Sequence, residues 1–121
     1  MRIVLVGQRA PSWNKFYAGM HWRERSQLTQ AVQMAVRVAL PEDVVEGNGY
    51  PYQVPVDIEI HAHFAGHPLD ADNIAAKLYI DGLKGWLIED DTLRHVRSVR
   101  TVPHLAKQDR VEILIQEMQN G

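Results

Sequence analysis

Between His67 and Asp91 the chain concentrates oxygen donors: Asp70-Ala71-Asp72-Asn73, then Lys77 and Asp81-Gly82-Leu83, then Glu89-Asp90-Asp91. Asp70 and Asp72 are two apart, and in extended backbone residues i and i+2 point to the same side. Two converging carboxylates repel each other unless a cation lies between them. Hard oxygen donors suit Mg²⁺, which usually takes one or two carboxylates and keeps water or substrate phosphate in its other positions. A bound Mg²⁺ activates water as a nucleophile and offsets the charge that develops on a phosphodiester under attack. Each piece also has a plainer account. An Asp before a helix usually caps it, and Asp90-Asp91 alone suits a solvated turn. Lys77 and Asp81, four apart on one helix stripe, suit a surface ion pair of roughly a few tenths of a kcal/mol. The conjunction favours chemistry. A helix of about 13 residues spans only ~20 Å, so the chain beyond it can return Asp91 to the helix N-terminus.

The elements that must position these residues follow from periodicity. Ile3 to Val6 reads as a buried strand. Gln8 to Gly19, with Pro11, Ser12, Asn14 and Gly19, reads as a loop. Leu28, Ala31, Val32, Ala35, Val36 and Ala39 recur at helical spacing and predict an amphipathic helix from about Trp22 to Leu40, stopped before Pro41. Gly47, Gly49, Pro51 and Pro55 mark a surface loop. From Val54 to His63 the pattern alternates, with Val56, Ile58, Ile60 and Ala62 on one face and Asp57, Glu59, His61 and His63 on the other. Asp72 to Lys84 predicts a second helix closing at Gly85. Val96 to Val102 is rich in β-branched residues, but its valines and arginines recur at threes, which suggests a strand with a bulge. Arg110 to Met118 alternates again, with Val111, Ile113 and Ile115 on one face. The order β-α-β-α-β-β predicts an α/β (α+β) fold with a mixed sheet and two main helices.

Bulk properties bound the function. A chain of 121 residues fits one domain, taken as residues 1–121, and can bury a core without staples. With no cysteine, disulfides and thiolate zinc sites are excluded, which fits a cytoplasmic setting. The apolar run after Met1 is too short for a signal peptide or a membrane span. A net charge of −2 excludes a protein that coats DNA through overall basicity, so any DNA contact must come from local patches.

The central motif, Asp70-Ala71-Asp72-Asn73 with Lys77, Asp81-Gly82-Leu83 and Asp90-Asp91, resembles that of the RusA family of Holliday junction resolvases: D-x-D-N, a lysine, D-[AG]-L and D-D. Pro11-Ser12-Trp13-Asn14 is similar to the family's N-terminal Pro-Ser-x-Asn loop, and the closing strand around Glu112 to its last strand. The resemblance runs from about Pro11 to Met118. It implies a small homodimeric endonuclease that cuts four-way or other branched DNA with Mg²⁺ or Mn²⁺, by attack of metal-activated water. It also implies that Asp70, Asp72 and Asp91 bind the metal, with Asp90 the alternative within its pair, and that Lys77 assists. Lys77 stands five residues after Asp72, where the family pattern has four, a difference of ~100° on a continuous helix.

Arg94, Arg97, Arg100, Lys107 and Arg110 form a basic concentration suited to a phosphate backbone, and Lys15 is counted among the DNA contacts. The plain account of that segment is a strand edge kept from aggregating by charge. Trp13, Phe16, Tyr17 and Trp22 suit either base stacking or a core. His61 and His63 share a strand face at a metal-compatible spacing, without an evident third ligand. A non-catalytic DNA-binding protein and a hydrolase of small phosphoesters are the rival functions. The homodimer contact is expected on the long amphipathic helix or on the closing strand.

Overall fold

The computed structural model describes residues 1–118. In chain order the elements are β1 (Arg2–Val6), α1 (Trp13–Ala18), α2 (Trp22–Ala39), α3 (Glu42–Glu46), β2 (Val56–Phe64), a 3₁₀ turn (Ala71–Asn73), α4 (Ala76–Leu83), β3 (Val96–Leu105) and β4 (Arg110–Glu117). The four strands form one sheet in the order β1-β4-β2-β3. β4 pairs antiparallel with both neighbours, whereas β2 and β3 are parallel. The fold is therefore α+β with a mixed sheet, as the pattern predicts. Among the described residues, no helix is long and apolar enough to cross a membrane.

Three local expectations are corrected. The segment read as a loop from Gln8 to Gly19 contains α1. Ser12 caps this helix by accepting a hydrogen bond from the Lys15 N–H, and six residues are too few to show a period. Glu42–Glu46 is a further short helix, closed by Gly47 in the left-handed region. The helix expected from Asp72 to Lys84 is broken. Ile74 leaves helical geometry to bridge Ser12, and the Ala75 N–H donates to the Pro11 carbonyl at 3.0 Å, so tertiary pairing wins over local helix extension.

The alternation in β2 and β4 is realised in full. Val56, Ile58, Ile60, Ala62 and Phe64 are buried, and so are Val111, Ile113 and Ile115. Val32 and Val36 of α2 and Leu78, Tyr79 and Leu83 of α4 join the same core. A Cβ at Gly82 would lie 3.2 Å from Val36, so the missing side chain lets α4 approach α2 closely. In β3, Val56 pairs with Val96 but Asp57 pairs with Ser98, which leaves Arg97 as the extra residue of a bulge. β3 is an edge strand and mostly exposed, so its sequence is free of strict alternation. β4 lies inside the sheet, between β1 and β2. Its backbone is therefore paired on both sides, and the closing strand drops out as a sheet-edge contact for a second copy.

The sheet face away from the core is a charged lattice. Glu112 accepts from Arg2 Nε at 3.1 Å and from Arg110 Nε at 3.0 Å, and His63 Nε2 lies 3.6 Å away. His61 is held between Glu59, at 2.9 Å, and His104, at 2.8 Å. The rings of His63 and His104 stack at 4.5 Å. Burial, with the Arg110 charge nearby, pushes the His63 imidazole below its ordinary range. Bonds from Arg2 and then Arg110 hold the Glu112 carboxyl well down, at about 2 against an ordinary 4.5. Its contribution to stability is complete above the ordinary value and is lost as the pH falls from there through about 2. Glu112→Gln is expected to cost about 1–3 kcal/mol in urea unfolding at pH 7. The gap from the wild type should close as the pH approaches 2, and a gap independent of pH would remove the ion pairs as its cause.

Candidate functional site

The acidic turn sits where the chain leaves β2 and begins its crossover to β3. Asp70 occupies the N-cap position of the 3₁₀ turn, yet its side chain makes no capping bond. Asp72 lies within the turn, and α4 starts at Ala76 with no side-chain cap either. The capping role that is the plain account of Asp72 is therefore not the one it plays. Both carboxylates are exposed.

The turn that carries them is held from two sides. From β3, the Thr101 hydroxyl donates to the Ala71 carbonyl at 2.7 Å. From the N-terminal segment, the Asn14 N–H donates to Asn73 Oδ1 at 2.8 Å and the Ser12 hydroxyl donates to the same oxygen at 3.2 Å. Ser12 thus donates to Asn73 while accepting from the Lys15 N–H at 3.2 Å. Pro11–Asn14 and Asp70–Asn73, both singled out in the sequence, form one unit. Asn73 is its joint, with a side chain committed to structure.

Asp91 is placed in a separate ion network. Lys84 Nζ lies 3.2 Å from Asp81, 3.2 Å from Asp91 and 3.9 Å from Asp90. Lys77 Nζ lies 3.4 Å from Asp81 and 3.8 Å from Asp91. The chain does return Asp91 along α4, and the expected Lys77–Asp81 pair is present within a larger group. The Lys84 hydrogen bond holds the Asp91 carboxyl below its ordinary range, and Asp81 and Asp91 raise Lys84 in turn. Asp90 Oδ1 accepts the Asp91 N–H at 2.8 Å, a turn-forming bond, so Asp91 is the member of the pair nearer the lysines. The break at Ile74 and Ala75 means that no continuous helix joins Asp72 to Lys77. The ~100° offset deduced from spacing therefore does not carry over.

The carboxylates thus fall into two sets. Asp70 and Asp72 stand on the turn, and Asp81, Asp90 and Asp91 surround the lysines. Among the described residues, no group of three or more His, Asp or Glu side chains is placed to share one metal ion. The turn pair alone offers hard oxygen donors of the kind and number that Mg²⁺ usually takes from protein.

The basic residues divide as well. Arg97 is committed to Asp57, with Nε bonded at 3.0 Å, and this bond with that from Ser98 lowers the Asp57 carboxyl. Arg100 lies 3.9 Å from Glu59 and Arg110 is bound to Glu112. Arg94, Lys107 and Lys15 are exposed. Trp13 and Phe16 pack against the core, whereas Tyr17 and Trp22 remain exposed. Sequence reasoning passed over Lys84 as a partner of Asp91, His104 as the third imidazole of the sheet face, and Trp86. The three-residue step from Asp81 to Lys84 was the available signal for the first.

Compared with protein-family models and with curated proteins, the chain matches none.

Asn73→Ala removes the acceptor shared by Ser12 and Asn14. It should cost roughly 1–2 kcal/mol and speed hydrogen exchange at the Asn14 amide. Asn73→Asp keeps the acceptor and should restore most of the protection. Equal exchange in both variants would show that this side chain does not hold the two segments together.

Proposed function

We propose that the protein is a Mg²⁺-dependent endonuclease acting on four-way or otherwise branched DNA, in the manner its RusA-like motif implies. The observation that carries this reading is the state of Asp70 and Asp72. They are exposed carboxylates on a turn anchored from both sides, and the capping bond that would explain Asp70 structurally is missing. Asp70 and Asp72 would hold the ion. When bound, Mg²⁺ supplies positive charge against the phosphodiester and makes water a better nucleophile (Mn²⁺ serves the same chemistry). Lys84 and Lys77 hold Asp91 in its ionised form, and the exposed Lys77 ammonium offers a point charge to a phosphate oxygen. Arg94, Lys107 and Lys15 are exposed and would be the cations to meet the backbone, with Arg97 and Arg100 partly offset by Asp57 and Glu59. A DNA substrate would fit a cytoplasmic setting.

Asp72→Asn keeps shape but removes a charged ligand. It is expected to lower Mg²⁺-dependent cleavage of a synthetic four-way junction by at least ~10²-fold while leaving the melting temperature and junction binding nearly unchanged. Cleavage near the wild-type rate would sink the assignment. Binding without cleavage in the wild-type protein itself would favour the non-catalytic rival, and turnover of small phosphoesters alone the other.

A matched pair of nicks across a two-fold junction calls for two sites, hence a homodimer. The surface that supports one lies along β1 and α2, where Val6, Met34 and Val38 are 82%, 65% and 77% exposed beside Val4, Ala31 and Ala35. β1 is a sheet edge with neither a proline nor a bulge, whereas the opposite edge, β3, carries Arg97, Arg100, Pro103 and a bulge. Sedimentation should give about twice the 13.8 kDa chain mass at micromolar concentration. Val38→Glu should return the protein to a monomer with its fold intact. A wild-type monomer both free and on DNA would remove the paired-nick mechanism.

A further inference from the structure

A second concave feature lies between α2 and α4, with Lys84 in its lining. It is a cleft of about 470 Å³ lined by Gln30, Gln33 and Arg37 of α2, by Asp81 and Lys84, and by Trp86 in the turn after α4. That volume falls within the range of small-ligand sites, roughly 300–1,000 Å³. The three α2 residues recur at steps of three and four, so one helix stripe presents them together. Gly82 sets the floor, where a Cβ would crowd Val36 at 3.2 Å.

The chemistry of the lining is specific. The Arg37 guanidinium lies over the Trp86 ring, 4.5 Å from its centroid. Arg37 is exposed, and no carboxylate among the described residues forms an ion pair with it, so the indole is what orients it. A guanidinium plane laid on an indole extends a flat cationic surface, on which a nucleobase stacks readily. Gln30 and Gln33 each offer an amide donor and acceptor, the groups that meet a base edge. Lys84 is held by Asp81 and Asp91, so among the described residues Arg37 is the lining cation without a carboxylate partner.

From this we infer that the cleft receives one unstacked nucleotide of a DNA strand, its base over the Arg37–Trp86 pair. The inference rests on the nuclease reading in one respect: Lys84 links the cleft to Asp91, so a nucleotide lodged here would fix the strand relative to that carboxylate. Branched DNA, unlike regular duplex, supplies nucleotides that leave the stack at little cost.

The test uses the indole N–H signals of Trp13, Trp22 and Trp86 in the full ¹⁵N-labelled chain, with Trp86 assigned through Trp86→Phe. The probes are a thymidine hexanucleotide and an abasic hexanucleotide of the same charge, titrated without metal. The Trp86 signal should shift with the thymidine strand, and the abasic strand should bind roughly 5- to 150-fold more weakly. Arg37→Ala, at an exposed position, should abolish that difference. Equal binding of the two strands, no response of Trp86, or a response confined to Trp22 or Trp13 would overturn the inference. Junction cleavage is read separately. Cleavage without a Trp86 response leaves the nuclease reading and removes the cleft, and a Trp86 response in a protein that cuts nothing does the reverse.

Discussion

Parallel pairing of β2 with β3 obliges the chain to leave one end of the sheet and re-enter at the other, because parallel neighbours cannot be joined by a tight hairpin. Here the return takes the whole stretch between Phe64 and Val96, and it must cross the buried face to cover it. Every acidic residue implicated in chemistry lies on that crossover. The 3₁₀ turn with Asp70 and Asp72 comes first, α4 with Lys77 and Asp81 lies in the middle, and Asp90 and Asp91 stand on the way back. The antiparallel step from β3, ending at Leu105, to β4, starting at Arg110, needs no such excursion. The crossover is therefore both the lid of the core and the carrier of the site, and Leu78, Tyr79 and Leu83 on its inner side anchor the charged groups on its outer side.

The long-period features were legible from sequence. β2 and β4 alternate because one face meets the core and the other the charged lattice, and α2 spans the length its apolar repeat implies. Helix length alone let Asp91 return to the helix N-terminus; the chain does bring it back along α4, but to Lys77 and Lys84 rather than into one group with Asp70 and Asp72. The failures share a cause, which is that long-range hydrogen bonds leave no periodic trace. Asn73 is drawn toward Ser12 and Asn14 across 61 and 59 residues of chain, and Ile74 follows it out of helical geometry. Nothing in the local pattern of Asp72–Lys84 announces that competition. Arg97 looked like part of a basic patch because its partner, Asp57, lies on another strand and was counted only as an outward-facing polar residue.

The two faces of the sheet respond to different variables. Among the described residues no charged side chain is buried in the core. The opposite face joins Arg2, Glu112, Arg110, His61, His63, His104 and Glu59 through short polar contacts. Acidification loosens this lattice while leaving the hydrophobic layer closed. Below the carboxylate range Glu112 no longer offsets Arg2 and Arg110, and their repulsion acts on strands still pinned from behind.

Gly82 has a mechanical consequence. With no side chain between α4 and Val36, the two helices meet without a spacer, and an added Cβ would stand 3.2 Å from Val36. Arg37 follows Val36 on one helix and Lys84 closes the other, so the span between these two cations is set at that contact. An absent methyl group, rather than any bond, decides how near they come.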